Sequence, residues 1–190
     1  MHINDSQETT NFIVPNYLQE GTGAILHLLA KASALLGAVT LLGMMLMSAI
    51  SIAGRVLFSQ PLPGDFELAQ LLSAVSVALF LPYCHVQRAH IFIDFFTVKA
   101  PEQVRHGLDA CAQLLMSLLA ALLSWRLAVG LMSAHAAQET TPIVGFPIWI
   151  AFIALVLAFL LLSVCALYAA FAESLAIYKN LRPKQVEQKP

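Results

Sequence analysis

Charged side chains divide the sequence into long apolar stretches. Lys31 and Arg55 enclose 23 uncharged residues, Glu67 and Arg88 enclose 20, and Glu139 and Glu173 enclose 33, of which the part after Pro147 is densely apolar. A further stretch between Asp109 and Glu139 is interrupted once, by Arg126. At about 1.5 Å rise per residue the first of these helices would be roughly 35 Å long, enough for a hydrocarbon core of about 30 Å. The pattern predicts four transmembrane helices, near 28–57, 65–87, 104–134 and 147–177. The runs are continuous and rich in Ala and Leu, without the dyad alternation of a membrane barrel.

The connections carry turn chemistry. Gln60-Pro61-Leu62-Pro63-Gly64-Asp65 joins the first two spans, and Asp65 is placed to cap the second. Pro142 and Gly145 are expected to stop the third helix before Pro147 opens the fourth. The second connection, from Val86 to about Gln103, mixes Ile91, Phe92, Ile93, Phe95 and Phe96 with Arg88, His90, Asp94 and Lys99, which suits a short helix lying in the membrane interface. Residues 12–29 read as a second interfacial arm leading into the first span. Residues 1–11 and 182–190 are polar tails around a single membrane domain, 12–181.

Composition agrees with this reading. Hydrophobic residues make up 59% of the chain and charged ones 11%, with mean hydropathy +0.77. Soluble domains carry about 25% charge, so the deficit leaves too little polar surface for a water-soluble globule. The same figures exclude disorder, and three Cys exclude a disulfide scaffold. A net charge of −1 gives no footprint for nucleic acid. The expected architecture is an all-α integral membrane protein with four transmembrane helices and two interfacial amphipathic segments.

Lys and Arg set its orientation. Arg88, Lys99 and Arg105 surround the second connection, and Lys179, Arg182, Lys184 and Lys189 end the chain. The first connection has Arg55 alone at its edge and the third has neither. The positive-inside rule therefore expects both termini and the second connection in the cytoplasm. No secretory leader is expected, because the first apolar run starts late, is long, and lacks a basic flank.

Membrane carriers keep ionisable or broken-helix features at mid-membrane. Here Lys31, Glu67, Arg88, Asp109 and Glu173 fall near helix ends, and Arg126 is the deepest charge. Two roles suit Arg126: an interfacial anchor beside Trp125 whose stem reaches outward, or a pairing with an acidic group of another subunit. Small residues recur every four positions at Ala120, Ser124 and Ala128. Ala154, Ala158, Ala166 and Ala170 form a similar ridge, as do Ser33 with Gly37 and Ala49 with Ala53. Such ridges let helices approach closely in lipid.

Catalytic motifs are absent from the sequence, with no phosphate loop, nucleophile elbow or His-Glu-x-x-His, and no enzyme activity or cofactor is expected. Cys84, Cys111 and Cys165 lack metal spacing. His27, His85 and His106 near helix ends leave open a haem b anchor of a respiratory enzyme. A self-sufficient small channel or exporter is a second rival.

Arg55, then Pro63-Gly64-Asp65-Phe66-Glu67-Leu68, then Arg88-Ala89-His90-Ile91-Phe92-Ile93-Asp94, and finally Pro147-Ile148-Trp149 form an ordered series. It resembles the small membrane subunit of tripartite ATP-independent periplasmic (TRAP) transporters, the DctQ/SiaQ type, over roughly residues 25–178. Pro82-Tyr83-Cys84-His85 departs from the small residues that relatives often carry there.

The resemblance implies a non-catalytic scaffold in a bacterial inner membrane. It would pair with a large elevator-type membrane subunit and a periplasmic substrate-binding protein, importing organic acids on a sodium gradient. Arg55 and Glu67 would then face each other across the first two helices, either paired or meeting a partner. Glu67 alternatively serves its own helix as a first-turn acid. Arg88, His90 and Asp94 would staple the interfacial arm to the leaflet or to the large subunit. Trp149 would mark the start of the last span.

Overall fold

The computed structural model describes residues 22–59, 62–88 and 102–181. Four helices account for nearly all of them: α1 (Thr22–Phe58), α2 (Asp65–Arg88), α3 (Glu102–Ala136) and α4 (Trp149–Leu181). Each contains a stretch long and apolar enough to cross a membrane: Gly23–Leu57, Asp65–Gln87, Gly107–Ala136 and Trp149–Ala172. The four spans expected from the charge spacing are all present.

The first begins earlier than expected. Residues 22–29, assigned above to an interfacial arm, run directly into α1. Between Thr22 and Lys31 only Gly23 is a poor helix former, and Lys31 lies exposed on the helix without ending it. The remainder of that arm and the whole interfacial segment after Arg88 lie outside the described residues. α2 stays helical through Pro82, whose side chain is fully buried. A proline here leaves the carbonyl of Ala78 without its usual helical donor.

The helices do not close into a bundle. α3 packs chiefly on α4, α4 also packs on α2, and α2 packs on α1, whereas α1 barely touches α4. The order in space is therefore a row, α1–α2–α4–α3. α4 sits inside it, and Ala151, Ala158, Leu162, Cys165, Ala166, Ala169 and Ala170 are all buried. Most small-residue ridges act within the row. Ala120 and Ser124 are buried on α3, and Ser33 and Gly37 on α1. A Cβ on Gly37 would stand 3.2 Å from both the Leu79 Cβ and the Ser76 carbonyl oxygen, so α1 and α2 meet there almost backbone to backbone. Ala49 and Ala53 are exposed.

Polar contacts reinforce the α3–α4 seam. The Ser117 hydroxyl donates to the Ser163 carbonyl and the Ser163 hydroxyl to the Ser117 carbonyl, each at 3.1 Å, and Ser124 donates to the Val156 carbonyl at 3.2 Å. Asp109 and Gln113 extend the same stripe and are buried too.

α3 ends by a different device from the one expected. Glu139 N–H bonds the Ala134 carbonyl (3.0 Å) and Gln138 N–H bonds the His135 carbonyl (3.2 Å), with Gln138 at φ 52°. This is a Schellman cap, a place where Gly or Asn is usual, so Gln138 gave no signal. Pro142 and Gly145 instead shape the loop beyond. There Thr141 N–H bonds the Phe146 carbonyl (2.9 Å), and Phe146 N–H bonds the Thr141 hydroxyl (3.0 Å).

Candidate functional site

The connections α1–α2 and α3–α4 lie at one end of the row, here termed the loop end, and side chains join them into one rim. Ser51 and Arg55, four residues apart on α1, share one face and both reach Asp65 at the start of α2. The Ser51 hydroxyl donates to Asp65 Oδ2 at 2.5 Å, and Arg55 Nη2 lies 3.7 Å from the same oxygen. Ser51 is almost fully buried. Arg55 is more than half exposed, so its ion pair adds little by itself. The short bond from a buried hydroxyl to a carboxylate is the stronger link.

Asp65 is not the helix cap. The Gly64 carbonyl accepts from Leu68 N–H at 3.1 Å, which makes Gly64 the cap residue and Asp65 the first residue inside. Gly64 has φ 77°, and a Cβ on it would stand 2.1 Å from Val144 Cγ2. Only glycine fits, because the backbone is left-handed and loop three presses on it. Asp65 accepts the first-turn N–H of Phe66 on Oδ1 at 2.8 Å and reaches across to α1 with Oδ2.

Glu67, two residues further on, faces loop three. Ile143 N–H lies 3.2 Å from each of its carboxylate oxygens, and Val144 N–H lies 3.5 Å from one. The structure thus brings Arg55 to Asp65 rather than to Glu67, and brings Glu67 to a loop that the sequence did not connect with it. Positions two apart on a helix point about 200° away from each other, so the two acids serve different neighbours.

Trp149 opens α4 against the last turn of α3, its ring edge-on to His135 with centroids 5.5 Å apart. Arg126 is exposed on α3 and has no ion pair among the described residues. His90 and Asp94 lie outside the described residues, as does the Arg88 side chain. At the opposite end of the row, His27 lies 6.3 Å from Tyr83, whose hydroxyl accepts from the Gln87 amide at 2.8 Å.

Sequence reasoning missed Ser51, Thr141 and the loop-three amides. Ser51 alone had a legible signal, its spacing of four from Arg55 on a face opposite Asp65. Chemically, the rim is a set of braces. Its acids are engaged with neighbours of the same chain, and exposed apolar side chains, Leu62, Phe66, Ile143 and Val144, surround them.

Asp65→Ala is expected to lower the thermal midpoint of the purified protein in detergent, and Ser51→Ala to lower it as well. The double variant should fall short of the sum, because both remove one bond. Arg55→Gln should have the smallest effect of the three. Strict additivity of Ser51→Ala and Asp65→Ala in the melting curves would contradict the clasp.

Residues 44–176 match the family model described as tripartite ATP-independent periplasmic transporters, DctQ component. No curated protein and no solved structure matches the chain significantly. The match covers well over half of the sequence, and the chain belongs to the DctQ family: it is the small, non-catalytic membrane subunit of a TRAP transporter.

Proposed function

We propose that this DctQ-family chain is the static scaffold of a sodium-driven importer of organic acids. It enlarges the fixed part of a large elevator-type membrane subunit, which carries the solute and sodium sites. A periplasmic substrate-binding protein delivers the solute to the assembled pair. The observation that carries the scaffold reading is the open row. Among the described residues the helices stand in the order α1–α2–α4–α3 without closing a ring, and both broad faces of the row present apolar side chains. Such a slab is suited to lying alongside another membrane protein.

In this reading the chain sits in the bacterial inner membrane. The loop end faces the periplasm and the termini face the cytoplasm, following the Lys and Arg of the second connection and C-terminal tail. The braced rim at the loop end then meets the side from which the binding protein arrives. Arg88, His90 and Asp94 anchor the cytoplasmic connection to the inner leaflet or to the large subunit.

The test is assembly. A tagged full-length chain, co-expressed with the large membrane subunit and extracted in mild detergent, is expected to recover that subunit in one-to-one ratio. Elution of the chain alone, in folded form, would overturn the reading. A respiratory anchor would instead show a haem Soret band in the purified chain.

A further inference from the structure

We infer that Arg126 is an intramembrane docking residue that pairs with a carboxylate on a transmembrane helix of the large subunit. The inference rests on the scaffold reading above and names the helix and residue through which it acts.

Depth is the first argument. Trp149 against His135 places the start of α4 level with the last turn of α3. Arg126 lies nine residues before His135, or about 13 Å along the axis. An extended arginine stem covers about half of that distance. Counted from the other direction, the α3 span runs from Gly107 to Ala136, 30 residues. A hydrocarbon core of about 30 Å covers about the middle twenty of them, and Arg126 lies inside it, about 7 Å from the edge nearer the loop end. Trp125 beside it is 75% exposed at the same depth, below any belt that Trp149 marks. Interfacial anchoring would take the whole extended stem, turned against the lean of helical side chains toward the helix N-terminus.

Direction is the second argument. Asp109, Gln113, Ser117, Ala120 and Ser124 form the buried stripe of α3, and two of them bond α4 directly. Arg126 is two residues past Ser124, about 200° around the helix, so it points away from α4. α3 is the end helix of the row, and among the described helices none packs substantially on that side. Leu119, Leu122, Leu123 and Val129 flank Arg126 there, all exposed.

Charge is the third argument and decides the occupant. A guanidinium at this depth is costly without an anion or hydrogen-bonding partner, and this chain supplies no ion pair among the described residues. Phospholipid phosphates lie beyond the hydrocarbon core. A carboxylate carried by a partner helix can reach the fork within the core, where the bidentate geometry is favoured.

The test compares tagged full-length chains co-expressed with the large subunit. Arg126→Leu is expected to keep its own membrane yield, since it removes a buried-charge cost, while recovering roughly tenfold less large subunit, or lower still. Arg126→Lys should recover more than Arg126→Leu, because it keeps the charge and loses only the fork. A photoreactive benzoylphenylalanine at Leu122, with Arg126 intact, should crosslink to the large subunit. Equal recovery by wild type and Arg126→Leu overturns the inference and leaves the scaffold reading standing. So does a crosslink from Leu122 to phospholipid alone, or loss of bound phospholipid from Arg126→Leu with the subunit retained. Failure of the wild-type chain to recover the large subunit removes both.

Discussion

Ala120→Leu is expected to separate α3 from the rest of the protein. Ala120 is 2% exposed, and α4 is the main helix covering it. The seam holds because small side chains let backbones come close enough for Ser117, Ser163 and Ser124 to bond across it. Interhelical hydrogen bonds in membranes contribute about 0.6 kcal/mol each on average. Overpacking a filled site costs about 1–3 kcal/mol, as much as these bonds together supply.

In water the hydrophobic effect would press the helices back together, but in lipid it gives no such help. Among the described helices, α3 has no second main neighbour to lean on. The ratio of docked to separated α3 should fall by about five- to 150-fold. Introduced cysteines at positions 130 and 152, which meet across α3 and α4 away from the bonded serines, in a chain cleared of its own three, report that ratio as yield with a short bifunctional thiol crosslinker. Leu119→Ala, at an exposed position on the same helix, should leave the yield near wild type. Unchanged crosslinking in Ala120→Leu would mean that α3 is held by something other than this seam.

Glu67→Ala should open the rim. It strands the amides of Ile143 and Val144, which otherwise donate to a carboxylate. Hydrogen bonds to charged groups contribute about 1.5–3 kcal/mol, and partial exposure brings the expected cost to about 1–2 kcal/mol. Loop three then lifts from Gly64. Its cleavage by an added protease should speed up by roughly five- to thirtyfold, with the four helices still assembled. Glu67→Gln keeps an acceptor oxygen without the charge and should fall between wild type and alanine. If the variants are cleaved at the wild-type rate, Glu67 does not hold the loop.

The number of spans was legible because charge avoids hydrocarbon: Arg55, Glu67, Arg88 and Glu139 lie near the helix limits. The order of the helices was not. Periodicity shows which residues share a face, yet Ser33 with Gly37 reads no differently from Ala49 with Ala53. The first pair is buried against α2, whereas the second is exposed.

At the rim, the chemistry was legible and the pairing was not. Arg55, Asp65 and Glu67 all stood out as charges at helix ends. Which acid meets Arg55 depends on whether Gly64 or Asp65 caps α2, and Val144 decides that from the far side of the sequence by leaving no room for a Cβ. Arg126 was conspicuous from the start as the one charge inside an apolar run. Its direction and its level relative to Trp149 came only with the fold.

Transport by reconstituted components tests the scaffold account most directly. The probe is the organic acid that co-purifies with the partner binding protein, supplied in radiolabelled form. Liposomes holding this chain with the large subunit, the binding protein and an inward sodium gradient are predicted to accumulate it, and liposomes holding this chain alone are predicted to show no flux above empty ones. Equal uptake by this chain alone would contradict the account, since the open row of helices would then be the carrier itself.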